Sequence, residues 1–170
     1  MKKPVPVFCL TLALFLSPGP AWSQTKSEKG NASWLKGVRA SATRVVARYS
    51  ATITAFAKRY DIPSEWLGGI MLVESSGDAR VPGGLMQAGE SAKRATGIWC
   101  DTRDPRCSIE ISAAYLRELR KMYGNNWPRI VLAYNRGPGG VRKVRDPYRH
   151  QYLSRFTYAL VVYNDACAHR

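Results

Sequence analysis

Between Trp34 and Tyr60 the apolar positions recur every three or four residues: Leu35, Val38, Ala42, Val45, Tyr49, Ile53, Phe56 and Tyr60. That spacing lines one face of an α-helix in a stretch rich in Ala and Arg, with Ser50 as the candidate point for a break. Asp61-Ile62-Pro63 restarts the chain, Asp61 as a cap and Pro63 in a first helical turn. The helix it opens runs to about Glu74 and stops at Ser75-Ser76-Gly77. A Gly- and Pro-bearing loop to Gly84 precedes a short helix over about 86–95. Cys107-Ser108 opens another, with Ile109, Ala113, Leu116 and Leu119 on one stripe and Gly124 ending it. Asn126-Trp127-Pro128 caps a short helix to Tyr134, closed by the glycines at 137–140, and a last helix over about 148–166 carries Tyr152, Phe156, Leu160 and Tyr163. No run alternates as a strand would, and no long repeat is present, so the expected fold class is all-α.

The start of the chain follows a different pattern. Lys2 and Lys3 precede an apolar run over 5–16, Ser17-Pro18-Gly19-Pro20 breaks it, and Ala21-Trp22-Ser23 forms a small-x-small site before Gln24. This is the layout of a secretory signal peptide over 1–23. A retained anchor is the alternative, but the run is shorter than the ~20 residues that span a bilayer. Cys9 lacks a lipobox-like context. Residues 24–32 are polar and read as a flexible lead-in, leaving 33–170 as one domain. The expected product is soluble and periplasmic or secreted.

Charge and cysteines sharpen this picture. The chain of 170 residues carries a net charge of +14, and loss of 1–23 removes two lysines and no acid, leaving +12. Such a balance favours polyanionic surroundings, and export argues against nucleic acid in favour of the cell envelope. An exported chain permits disulfides, and Cys100 with Cys107 is the natural pair across a Pro-containing turn. Closing that eight-residue loop stabilises by roughly 2.5 kcal/mol in the chain-entropy model. Cys167 is left over, open to staying free, pairing between chains or replacing one partner of the bridge. Only two histidines are present, His150 and His169, in no ligand spacing, so no metal site is expected.

Glu74 is the candidate for chemistry. Leu67, Ile70 and Met71 lie seven, four and three residues before it, on the same helix face. An acid placed last on an apolar stripe is desolvated, and desolvation raises a carboxylate's pKa. A protonated Glu near neutral pH is what a glycosidase needs to protonate a leaving sugar oxygen. A frayed, exposed helix end paired with an Arg is the plainer alternative.

The surrounding sequence bears on that choice. Val-Glu-Ser-Ser-Gly at 73–77, Gly-Leu-Met-Gln at 84–87 and Ala-Tyr-Asn-Arg-Gly-Pro-Gly at 133–139 occur in this order, each at a helix boundary. The combination resembles the lytic transglycosylases of the soluble-transglycosylase type, which share a lysozyme-like helical domain; the similarity runs over about 60–141. The resemblance implies that Glu74 is the single catalytic acid, protonating the bond between N-acetylmuramic acid and N-acetylglucosamine and then acting as base. The muramyl C6 hydroxyl attacks C1 and closes a 1,6-anhydro ring, so neither a second carboxylate nor a cofactor is required. It further implies that Ser75 orients the acid or the substrate, and that Leu85, Met86 and Gln87 line the groove, Gln87 reaching the acetamido group. Tyr134 and Asn135 match the pair that contacts acid and cleft, with Tyr134 the second choice for direct catalytic contact, and Tyr152 falls where the family places a further cleft aromatic. Met86, Tyr134 and Tyr152 also suit plain core positions.

Two departures stand out. Residues 78–83 form a loop several residues shorter than the family's usual one, and Ala88-Gly89-Glu90 replaces an apolar residue and a proline. Glu110 reads as a solvated helix position, while Glu90, if it faced Glu74, would permit a hydrolytic outcome. A muramidase acting on the same bond and a non-catalytic wall-binding or assembly protein are therefore the alternatives. Expected partners are peptidoglycan strands and, from the small size and lack of a wall-binding module, a secretion or conjugation machine.

Overall fold

The computed structural model describes residues 26–170, with side chains from Ser33 onward. The signal-peptide expectation for 1–23 lies outside the described residues. Every regular element described is helical: α1 (Lys26–Tyr60), α2 (Ser64–Ser75), α3 (Glu90–Thr96), α4 (Pro105–Tyr123), α5 (Trp127–Val141) and α6 (Gln151–Ala168), with a 3-10 turn at Pro147–Arg149 before the last. The all-α expectation holds. None of these helices is long and apolar enough to cross a membrane.

α1 starts at Lys26, within the segment read as a lead-in, and continues through Ser50 without a break. Tyr49 and Ile53 on either side of that serine are both buried, and one Ser costs a helix far less than the packing returns. At its end Asp61 takes a left-handed conformation, φ 51°. The amide of Asp61 donates to the Lys58 carbonyl and that of Ile62 to Ala57, which makes a Schellman stop. Asp61 therefore terminates α1 rather than capping α2, and Pro63, extended, takes the N-cap position.

α2 is the central element, packed between α1 and α6. Residues 67–72 are buried in succession, as expected for a helix enclosed on all sides. Gly68 makes that enclosure possible: a Cβ there would lie 2.4 Å from the ring of Tyr163 on α6.

The segment after α2 departs from the expected short helix over 86–95. Residues 84–89 form a loop, and only Glu90–Thr96 is helical. Long-range bonds override the local pattern, because Met86 donates its amide to Ser108 Oγ (3.1 Å) and gives its carbonyl to the Tyr134 hydroxyl (2.7 Å). Both belong to other helices, and a backbone committed to them is unavailable to a helical turn.

α4 begins two residues before Cys107, with the Asp104 side chain accepting from the Cys107 amide at 2.7 Å and Pro105 in the first turn. α5 is capped by Asn126 as expected, but it continues past Tyr134, breaks at Gly137 (φ 69°, ψ 160°) and resumes to Val141. Pro138 fits because it opens the new turn, where no amide is needed.

Cys100 and Cys107 are joined by a disulfide, and Cys167 is free and exposed. Reduction, or the double change to Ser, is expected to lower stability by about 2.5 kcal/mol, seen as a thermal midpoint roughly 5–10 °C lower. An unchanged midpoint with and without reductant would show that the bridge contributes nothing.

Candidate active site

Glu74 sits in the last turn of α2, below Leu67, Ile70 and Met71, none of which has exposed surface. Its carboxylate is half-buried, and the Tyr152 hydroxyl on α6 donates to Oε1 at 2.6 Å. Burial pushes the Glu74 pKa above the ordinary range, while the tyrosine bond, which favours the charged form, pulls partly against it. No second carboxylate contributes to this shift. Glu90 is exposed and pairs with Lys93 at 3.3 Å. Glu110 is not simply solvated: Arg59 holds it at 2.8 Å and the Tyr60 hydroxyl at 3.1 Å.

Tyr152 reaches Glu74 because His150 caps α6, its Nδ1 3.3 Å from the Tyr152 amide. The Tyr152 ring is buried, and burial together with the adjacent carboxylate raises its pKa well above the usual phenol value. It is therefore a neutral donor and not a base at any working pH.

Tyr134 borders the groove with Asn135, but its hydroxyl bonds partners other than Glu74. Its hydroxyl donates to the Met86 carbonyl and lies 2.7 Å from Ser112 Oγ, so its hydrogen is spent on the loop and not on the acid. Burial raises its pKa as well, with the charge of Glu74 adding to the shift. The direct tyrosine contact on Glu74 belongs to Tyr152.

Ser75 is buried with its hydroxyl 2.7 Å from the Leu85 carbonyl, and it accepts from the Gly77 amide at 3.1 Å. It fastens the end of α2 to the 84–87 loop. Leu85 and Met86 have no exposed surface, so their side chains fill the core beneath the groove rather than lining it. Gln87 does reach open space. Its Nε2 donates to the carbonyls of Pro82 (2.7 Å) and Gly84 (2.8 Å), which orients Oε1 as the remaining acceptor.

Gln87 and Asn135 meet across an open concavity of about 310 Å³, whose walls include Ser91, Tyr115, Tyr134 and Arg136. Its volume lies at the lower end of small-ligand sites. Tyr115, Ser108 and Ser112 were not singled out from sequence, yet they support the groove. The Tyr115 ring packs 5.8 Å from that of Tyr134, and the two serines bind Met86 and Tyr134. The available signal was a pair of Ser four residues apart on the stripe of α4, since buried hydroxyls require partners. Among the described residues no three His, Cys, Asp or Glu side chains converge as a metal-ligand set.

Helices packed around an enclosed apolar helix that ends on one acid define a lysozyme-like helical domain. A family model described as the transglycosylase SLT domain matches residues 51–153, which include Glu74, the 84–87 loop, Tyr134 and Tyr152. The chain belongs to this family, the peptidoglycan lytic transglycosylases.

Proposed function

We propose that the protein cleaves the β-1,4 bond between N-acetylmuramic acid and N-acetylglucosamine, with Glu74 as the only acid/base, leaving a 1,6-anhydromuramyl end. The observation that carries this reading is the isolation of Glu74: a desolvated carboxylate, one tyrosine donor and, among the described residues, no acidic neighbour to serve as nucleophile or water-activating base. Protonated Glu74 gives its hydrogen to the bridging oxygen, and the C1–O bond breaks as positive charge builds on the muramyl ring. The carboxylate so formed then takes the proton of the muramyl C6 hydroxyl while that oxygen bonds to C1. Glu74 ends as it began, and no water is consumed. Burial favours the protonated form of the acid at the start, and the Tyr152 bond favours the carboxylate midway. Gln87 Oε1 receives the acetamido N–H, and Asn135 borders the same groove. Action in the periplasm or beyond follows from the substrate, with export through 1–23.

Clearing of a peptidoglycan-containing gel by the purified protein tests the reading, and absence of a zone would end it. In the same assay Tyr152→Phe keeps the buried ring but loses the donor. The expected result is a fall in kcat of about tenfold or more, with the alkaline limb of the pH profile moved upward because a bond that lowers the Glu74 pKa is gone. An unmoved limb would mean that Tyr152 does not act on the acid.

A further inference from the structure

Two residues past Glu74 the chain enters a second concavity, of about 410 Å³, bounded by Ser76, Gly77, Asp78, Ala79 and Arg80 and by Arg44 and Arg48 of α1. Gly77 packs directly on α1, where a Cβ would lie 2.4 Å from Val45 Cγ2. The loop therefore begins against the very turn of α1 that carries the two arginines. Both arginines are exposed, across the hollow from Asp78, Ala79 and Arg80 of the loop.

The charges in this concavity do not cancel. Arg80 holds Asp78 through two bonds of 2.9 Å, and the Arg80 amide donates to Asp78 Oδ1 at 3.0 Å. That pairing, with a smaller contribution from the nearby Arg44 charge, holds the Asp78 carboxyl down at about 2, so its capacity is largely used. Arg44 is oriented by Ser41 Oγ (2.8 Å) and the Ala40 carbonyl (3.3 Å), and Arg48 lies 5.5 Å from the Tyr49 ring. Neither forms an ion pair with an acid among the described residues. Two guanidiniums one helical turn apart, both facing one open hollow, are suited to a carboxylate, which takes their N–H groups as charge-assisted bonds.

We propose that Arg44 and Arg48 form a subsite for a carboxylate on the peptide branch of the glycan strand, in the concavity that opens two residues past the acid and separate from the Gln87–Asn135 groove. The inference rests on the transglycosylase reading for its substrate class. The short loop is then a specificity feature, facing the two arginines across the hollow.

Binding separates the two claims. Glu74→Gln protein, which holds strands without cutting them, is titrated with peptide-bearing strands and with strands whose peptides an amidase has removed. Adding Arg44→Gln and Arg48→Gln is expected to weaken binding of peptide-bearing strands about tenfold and to leave stripped strands unaffected. Amidase cleavage removes the peptide carboxylates and frees the lactyl carboxylate that had been amide-bonded to the peptide, so equal weakening on both would show that the arginines do not read the peptide branch and would overturn the proposal. Lys36→Gln with Lys58→Gln removes the same charge from exposed positions of the same helix. An equal effect from that control would reduce the subsite to general basicity and likewise overturn it. Failure of the wild type to cleave any strand would refute the catalytic reading, while the binding comparison would still report on Arg44 and Arg48.

Discussion

Glu74→Gln is expected to lower the rate of strand cleavage by about a thousandfold or more and to make the protein more stable at neutral pH. The loss follows from the site's composition. The amide can still accept the Tyr152 hydrogen bond, but it has no acidic proton to give the leaving oxygen, and among the described residues no neighbouring carboxylate stands ready to substitute. The gain in stability follows from burial. Because the folded-state pKa of Glu74 is raised, its contribution is most favourable below the unfolded value, ~4.3. That contribution is lost as pH rises through the folded value, above which a charged group remains in a desolvated site. Gln carries no such cost. Removing a functional acid of this kind typically adds about 1 kcal/mol, or ~3 °C for a domain of this size. Thermal melts of both proteins should converge as pH falls below 4 or so. A variant less stable than wild type at pH 7 would show that Glu74 is held as a favourable charge, contrary to the mechanism.

The second large effect is structural. Gly84→Ala is expected to cost about 3 kcal/mol or more, combining strain at positive φ with a steric block. Gly84 has φ +81°, and a Cβ there would lie 1.9 Å from the Thr102 carbonyl oxygen, a backbone atom in the loop bridged by Cys100 and Cys107. A flexible side chain would yield; a disulfide-closed backbone yields less. Strand cleavage should fall along with the thermal midpoint, because the 84–87 loop holds the Leu85 tie to Ser75 and the Met86 tie to Tyr134. Gly37→Ala on exposed α1, with nothing within 4 Å, should have the opposite sign and stabilise by roughly 1 kcal/mol. If both substitutions behaved alike, the packing at Gly84 would be misjudged.

Much of the fold was legible from spacing, and the exceptions share a cause. The stripe of α1, the apolar face of α2 that leads to Glu74, the stop at Gly124 and the break at Gly137 are local patterns, and local patterns survive folding where packing agrees with them. Met86 was misplaced on a helix because its apolar neighbours mimic a helical face, whereas its backbone is held by Ser108 and Tyr134 from distant helices. Asp61 looked like a cap, but it sits where α1 must turn back, and the left-handed conformation it adopts is one that Asp tolerates.

The site divides in the same way. Glu74 could be proposed from its stripe and from the motifs around it. Which tyrosine touches it could not, since that depends on how α6 crosses α2: Tyr152 lies 78 residues from Glu74 in sequence, yet its hydroxyl is 2.6 Å from the carboxylate. Tyr134, closer to a recognisable motif, gives its hydroxyl hydrogen to the Met86 carbonyl instead. Leu85 and Met86 show the limit of carrying a role over by motif alone, for a segment that borders a groove can send its side chains inward.

The reading as a whole stands on one acid performing both proton transfers with the sugar as its own nucleophile. Mass spectrometry of the products released from purified peptidoglycan tests this most directly, with wild type and Glu74→Gln digested in parallel. The account predicts muropeptides one water lighter than hydrolysis would give, ending in 1,6-anhydromuramic acid, from the wild type and not from the variant. Reducing muramyl ends from the wild type, or anhydro ends persisting in Glu74→Gln, would contradict it.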